Sequence, residues 1–115
     1  MKLIGSKTED DLRRDFIAGI AAIFYRNESP LLLNALKELD PKIEYAVVIH
    51  SVPEQDVHFY DVLVSDCCVF KIEIPTNGMP FSSRQVSVRE YKKQHSSKAK
   101  QIKLAVAIDV LKSTH

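Results

Sequence analysis

Glycine and cysteine are both scarce in this sequence of 115 residues. The three glycines lie far apart, at Gly5, Gly19 and Gly78, so the chain has no glycine-rich loop that could hold a phosphate group. The only two cysteines, Cys67 and Cys68, are neighbours, and a disulfide between adjacent residues is strained. These absences argue against a phosphate-binding loop and a disulfide-bonded secreted fold, and they favour a reducing compartment.

Long apolar runs are also missing. No segment approaches the roughly 20 apolar residues of a membrane-spanning helix, and the apolar stretch at the N-terminus is too short for a signal peptide. With 45% hydrophobic and 27% charged residues, the composition is that of a soluble globular protein. A chain of this length can bury a core of its own. We therefore expect a single domain over residues 1–115, located in the cytoplasm and making no contact with a membrane.

The net charge is only +1, but its distribution along the chain is uneven. Residues 40–81 carry seven acidic and two basic side chains, whereas residues 82–115 carry eight basic and two acidic ones. This asymmetry predicts an acidic surface and a basic surface, each able to attract a charged partner. The alternative is that folding lays the two segments together, so that their charges cancel.

Residues 57–74 contain the clearest structural pattern, two runs rich in β-branched and aromatic residues that flank Ser65-Asp66-Cys67. This pattern predicts an antiparallel hairpin. In the second run every other residue from Cys68 to Ile74 is apolar, and Lys71 and Glu73 have the opposite parity. One face of the strand should therefore be buried and the other solvated, with helices on one side of the sheet only.

Two helices are predicted before this hairpin. Thr8 has the residue type of an N-cap, acidic residues follow it, and apolar residues then recur at helical spacing until near Asn27. Ser29-Pro30 predicts the start of a second helix, and Asp40-Pro41 predicts its end.

The remaining segments predict two further strands and a last helix. Residues 43–50 are typical of a central strand, and residues 84–88 of a fourth, shorter one. Residues 91–95 indicate either a helix or a loop, after which Ser96 or Ser97 caps a largely apolar helix over residues 98–112. We therefore predict an α+β fold, a mostly antiparallel four-stranded sheet with two N-terminal helices and one C-terminal helix packed on it.

A metallonuclease site is the first catalytic alternative. Nucleases of the restriction-endonuclease type carry an aspartate on one strand and Glu-x-Lys on the next, where the carboxylates hold Mg²⁺ and the lysine helps the attacking water. Asp61 has the right position for the first acid. The next strand, however, reads Lys71-Ile72-Glu73, which is the triplet in reverse, so the lysine is out of place. This departure argues against a working nuclease site.

Two other reactive sites use the histidines and cysteines. His50, His58, Cys67 and Cys68 provide atoms that zinc prefers, but the chain has no Cys-x-x-Cys spacing, and neighbouring strand residues point to opposite faces. A cysteine nucleophile assisted by His58 has the right residue types without an orienting pattern. We therefore predict a protein that is not an enzyme, with no catalytic, cofactor-binding or metal-binding residues and no cofactor.

In overall form the chain resembles the small cytoplasmic immunity proteins that bacteria encode beside polymorphic or contact-dependent toxins. The resemblance lies in residues 2–8, KLIGSKT, as a lead into a capped helix, in the single α+β domain, and in residues 100–107, KQIKLAVA. It implies stoichiometric blockade of a toxin's active site or of its substrate or cofactor surface. These proteins share no catalytic signature, so the resemblance assigns no functional residue.

The predicted partner is therefore another protein, a cognate toxin domain. Acidic side chains around the hairpin suit a basic partner, and two aromatic side chains are available as anchors. The residues predicted to bind the partner are Glu54, Asp56, Phe59, Tyr60, Asp61 and Asp66.

The alternative function is nucleic-acid binding by the basic C-terminal segment. Its cations would neutralise backbone phosphates, although Tyr91 is the only aromatic residue in that stretch. The basic residues concerned are Arg84, Arg89, Lys92, Lys93, Lys98, Lys100 and Lys103.

Overall fold

Four antiparallel strands in sequential order form the centre of the computed structural model, which describes residues 2–114, with side chains from residue 9 to residue 113. The predicted α+β class and the antiparallel four-stranded sheet are confirmed. One strand differs from its prediction. The strand expected at the centre of the sheet lies at its edge, because it pairs only with the strand that follows it. The strands are β1 (Val47–Pro53), β2 (Val57–Ser65), β3 (Cys68–Pro75) and β4 (Ser82–Ser87).

The described residues form four helices where three were predicted. The additional one is a short helix after β4, in the region that indicated either a helix or a loop. Ser87 caps it, because its Oγ accepts a hydrogen bond from the backbone N–H of Glu90 at 3.0 Å. The helices are α1 (Lys2–Phe24), α2 (Pro30–Leu39), α3 (Val88–Gln94) and α4 (Lys98–Thr114).

Helix α1 begins earlier than predicted. Thr8 lies inside it, so the N-cap prediction at Thr8 is wrong. A threonine followed by acids is a local preference, and a helix already propagating through good helix formers such as Lys2 and Leu3 overrides it. At the other end the helix stops at Phe24. Asn27 then takes a left-handed backbone conformation, with φ of 53°, which asparagine tolerates better than most residues.

The hairpin of β2 and β3 follows the prediction closely. The strands pair antiparallel, with Val62 opposite Phe70 and Tyr60 opposite Ile72, and only Asp66 and Cys67 separate them. Helix α2 also matches, since Pro30 is its first residue and Asp40 its C-cap. The local signals of alternation, turn and proline therefore predicted these elements correctly.

Helices cover both faces of the sheet, which corrects the expectation of helices on one side only. Phe70 and Ile72 of β3 pack with α2 residues such as Leu36 in one apolar cluster. On the opposite face, Leu63 and Val69 pack with residues of α1, α3 and α4 in a second cluster. The prediction failed because Val69 has the same parity as the charged residues of β3, so one face is apolar at one end and polar at the other.

Candidate functional site

A row of polar side chains crosses the sheet on the face that α1, α3 and α4 cover only in part. Strand pairing places His50 of β1 opposite Asp61, Asp61 opposite Lys71, and Lys71 opposite Arg84. Partners across an antiparallel ladder have their side chains on the same face. A bulge in β1 at Ile49 sets this register, since Val48 pairs with Val62 and the next paired residue is His50.

Asp61 has two partners on this face of the sheet. Its Oδ2 accepts a hydrogen bond from the Tyr91 hydroxyl at 2.9 Å, and its Oδ1 lies 3.6 Å from Lys71 Nζ. The Lys71 ammonium also lies 5.2 Å from the centre of the Tyr91 ring, within the range of a cation–π interaction. The Asp61 side chain is only 13% exposed. These contacts hold α3 against the sheet and fix the direction of the carboxylate.

Burial, and then the hydrogen bond to Asp61, raise the pKa of Tyr91 well above its ordinary value. A neutral phenol is therefore the form present at physiological pH, and it serves as a hydrogen-bond donor. The Tyr91 hydroxyl is therefore suited to positioning the Asp61 carboxylate.

An open groove, here called the sheet groove, lies on the part of this face that no helix covers. Its volume is about 490 Å³, and it extends across β2, β3 and β4. Ser82 donates a hydrogen bond from its Oγ to Glu73 Oε2 at 3.1 Å, which links β4 to β3 at the groove surface. Two acidic side chains, two basic ones and an aromatic ring line it: Asp61, Glu73, Lys71, Arg84 and Phe59.

A second depression, here called the His95 pocket, lies beside Tyr91. It measures about 200 Å³ and is lined by Ile49, His50, Tyr91, His95, Lys100 and Lys103. The rings of Tyr91 and His95 lie with their centres 4.2 Å apart. Gln101 holds the chain at this corner, because its side-chain amide donates to the backbone carbonyl of His95 at 2.9 Å.

His95 is the titratable group most affected by this environment. Burial lowers its pKa first, and the positive charges of Lys71 and Lys100 and the neighbouring His50 lower it further, while Asp61 acts in the opposite direction. The Nε2 atom of His95 is buried, and it has no hydrogen-bond partner among the described residues. The pocket therefore contains a mainly neutral imidazole whose hydrogen-bonding capacity is only partly used.

Of the six residues predicted to bind a partner, Phe59, Tyr60 and Asp61 line the sheet groove. Only Phe59 and Asp61 have their side chains on that face of the sheet, because successive strand residues point to opposite faces. Tyr60 has its side chain on the opposite face of the sheet. There its ring stacks on His58 with 4.1 Å between ring centres, and its hydroxyl lies 3.1 Å from His58 Nδ1. His58 Nε2 in turn lies 2.7 Å from Ser51 Oγ. Tyr60 belongs to a different polar cluster from its two neighbours.

The other three predicted residues lie at the two ends of the hairpin. Glu54 and Asp56 are exposed in the turn between β1 and β2, and Asp66 is exposed in the turn between β2 and β3. These turns are separated by the length of β2, about 27 Å at roughly 3.4 Å per residue. The six residues are thus distributed over the groove, the opposite face and two distant turns.

The acidic and basic segments do not neutralise each other through direct ion pairs in the part of the chain that the structure describes. The pairs formed by described side chains are Arg13 with Asp109, Arg14 with Asp11, Arg26 with Glu28, and Lys71 with Asp61. None of them joins an acid of residues 40–81 to a base of residues 82–115. Among these acids and bases, Asp61 alone takes part in an ion pair of the described side chains.

The residues of the zinc and cysteine alternatives are dispersed. His50 lies on the face of the sheet groove and His58 on the opposite face, while Cys67 is exposed in the hairpin turn. Within residues 2–114, no three His, Cys, Asp or Glu side chains meet as a metal-binding group. Burial and the neighbouring Cys67 raise the pKa of the Cys68 thiol, which disfavours its reactive thiolate.

Tyr91 and His95 were not among the residues predicted to form a site. The signal for them was the capping pattern Ser87-x-x-Glu90, which marks the start of a helix and places Tyr91 and His95 about one turn apart. The contacts of Tyr91 with Asp61 and Lys71 could not be predicted from neighbouring residues, because they join α3 to the middle of the sheet.

The chain was compared with protein-family models, curated proteins and solved structures, and none of the three comparisons finds a match. A search of residues 2–114 for a helix long and apolar enough to cross a membrane finds none.

Proposed function

We propose that the protein is a non-enzymatic, cytoplasmic protein-binding domain, an immunity protein that neutralises a cognate toxin by stoichiometric binding. The observation that carries the proposal is the sheet groove. It combines an aromatic side chain, Phe59, with acidic and basic side chains on a rigid sheet surface that the helices leave open. Protein interfaces combine an aromatic anchor with charges that set the orientation of the partner.

The rigidity of the groove supports this proposal. Asp61 is held by both Lys71 and Tyr91, and Glu73 accepts a hydrogen bond from Ser82. Side chains that are already ordered lose little conformational entropy when a partner binds. Free Cys67 and Cys68 agree with a reducing compartment and hence with the cytoplasm.

The test begins with capture of the partner. The tagged protein is pulled down from its own cells with and without nuclease, and the bound proteins are identified by mass spectrometry. We expect to capture a protein partner that stays bound after nuclease treatment. Its toxic activity should fall linearly as the protein is added, to an end point at a fixed molar ratio of the two. Capture of a partner whose activity is unaffected by the protein would contradict the immunity function.

A second step locates the contact. Glu73→Lys reverses a charge in the groove, and Asp66→Lys makes the same change in the distant turn. We expect Glu73→Lys to weaken binding at least about tenfold, which corresponds to about 1.4 kcal/mol. A larger effect of Asp66→Lys would move the contact to the turn.

Nucleic-acid binding remains a second candidate, favoured by one observation. The side chains of Arg89, Lys92, Lys93 and Lys98 are exposed on α3 and at the start of α4, and the ion pairs of the described chain do not include them. This function predicts an affinity that falls steeply with added salt and a smaller salt dependence in a Lys92→Gln, Lys93→Gln variant. A binding curve that does not change between low and high salt would refute it.

A further inference from the structure

The His95 pocket has a charge pattern that the sheet groove lacks. Lys100 and Lys103 line it together with His50 and His95, and no acidic side chain of the described residues is among its lining. The nearest acid in the polar row, Asp61, already contacts Lys71 and Tyr91. The electrostatic preference of this pocket is therefore for an anion.

The uncharged part of the lining narrows the choice of anion. Ile49 and the ring of Tyr91 present apolar surface beside the lysines. The volume of about 200 Å³ exceeds the space that a few water molecules fill, at about 30 Å³ each. A small, strongly hydrated dianion such as phosphate would gain little from the apolar wall, whereas a carboxylate attached to an apolar group would use both parts.

His95 provides an independent observation in favour of a ligand. Buried polar atoms of proteins are nearly always hydrogen-bonded, yet its Nε2 has no partner in residues 9–113, the part of the chain whose side chains are described. The Gln101 amide holds the backbone of this residue through the His95 carbonyl, and the His95 ring lies against the Tyr91 ring at the wall of the pocket. An anion beside the ring would provide both a hydrogen-bond acceptor and a negative charge.

We propose that the His95 pocket binds one carboxylate carried on a small apolar group. Lys100 and Lys103 bind the carboxylate, and Ile49 and the Tyr91 ring contact the apolar part. The carboxylate belongs either to a free small acid or to the C-terminal residue of a partner protein. This site is separate from the sheet groove, and the proposal does not depend on toxin binding.

Benzoate is the first probe, and benzamide is its uncharged counterpart of nearly the same shape. The imidazole signals of His50 and His95 are followed by NMR while each compound is added to the full chain. We expect a saturable shift of both histidines with benzoate and none with benzamide. Absence of a saturable benzoate shift, or an equal shift with benzamide, overturns the proposal.

Matched variants separate this site from general attraction to a basic surface. Lys100→Gln with Lys103→Gln removes two charges from the pocket, and Lys98→Gln with Lys112→Gln removes two exposed charges from the same helix. The pocket variant should bind benzoate at least about tenfold more weakly, since charge-assisted hydrogen bonds are among the strongest in proteins. An equal loss in the second variant overturns the proposal. Thermal unfolding of both variants establishes that each is folded before binding is measured.

A peptide probe distinguishes the two sources of the carboxylate. Acetyl-alanyl-phenylalanine is compared with its C-terminal amide in the same titration. Tighter binding of the peptide acid than of benzoate assigns the pocket to the chain end of a partner, and tighter binding of benzoate assigns it to a free acid. Either result supports the carboxylate site, whereas binding of the peptide amide as tightly as the acid contradicts it.

Discussion

The two ends of a single sheet face differ more than the two faces differ from each other. At one end Leu63 and Val69 have no exposed surface and pack beneath α1 and α4. Farther along the same strands, an open groove is lined by Asp61, Lys71 and Glu73. Burial against helices demands apolar side chains, while an open surface allows charge. The comparison indicates that one end of this face maintains the fold and that the other end is available for recognition.

A substitution at the covered end of this face should reduce stability the most. Leu63→Ala should lower the free energy of unfolding by about 2 to 5 kcal/mol, because it leaves a cavity in a fully buried site. Phe59→Ala on the same strand should cost only about 1 kcal/mol, since the Phe59 ring lies in the groove. Urea unfolding of both variants measures the difference, and equal losses would remove the distinction between the two ends.

A smaller loss of stability is expected from the contact between Tyr91 and Asp61, which lies between the covered and the open end. Tyr91→Phe removes the hydrogen bond to Asp61. It should lower the free energy of unfolding by about 1.5 kcal/mol, which is typical for the loss of a hydrogen bond to a charged group. The same substitution in an Asp61→Asn background should cost less, because the charged acceptor is gone. A double-mutant cycle by urea unfolding measures the coupling. A coupling energy of zero would show that this contact does not attach α3 to the sheet.

Removal of the N-cap of α3 also tests how this helix is held. Ser87→Ala should lower the free energy of unfolding by about 1 kcal/mol, because the Glu90 N–H loses its acceptor. Ser96→Ala, at an exposed position between α3 and α4, is the matched control and should change stability by less than about 0.5 kcal/mol. Similar losses in the two variants would contradict the capping role of Ser87.

The smallest effect concerns pH. The pKa of His95 is lowered in the folded protein, so the unfolded chain takes up this proton more readily. The pKa of histidine in the unfolded chain is near 6.5. At higher pH the His95 imidazole is neutral in both the folded and the unfolded state, so its protonation does not change the free energy of unfolding. Stability should therefore fall as the pH drops from about 6.5 through the folded pKa. His95→Gln should flatten this part of the profile of melting temperature against pH, and an unchanged slope would assign the effect to other groups.

The sequence predicted the parts of the fold that depend on neighbouring residues. Alternation in β2 and β3, the short turn at Asp66 and the Ser29-Pro30 signal each rest on a few consecutive side chains. The edge position of β1 was not predictable in this way, because strand order depends on which surfaces pack together. At Thr8 a local signal gave a wrong prediction, because the helix continues through this residue.

The candidate site was less accessible to sequence reasoning than the fold. Asp61 and Phe59 were selected for charge and aromatic character, and both line the sheet groove. Lys71 and Arg84 reach the same groove only through the register of β2, β3 and β4. Tyr91 lies on α3, which folds back over the sheet, and His95 follows that helix as its C-cap. No spacing in the chain encodes the contact of α3 with the sheet.

If the open end of this face is the binding surface, carboxyl footprinting of the captured complex will locate the contact there. Carboxylates are labelled with a carbodiimide and an amine before and after the partner binds, and the label is located by mass spectrometry. Labelling of Glu73 should fall on binding, while labelling of Asp66, at the distant turn, should stay the same. Protection of Asp66 with full labelling of Glu73 would contradict binding at the open end.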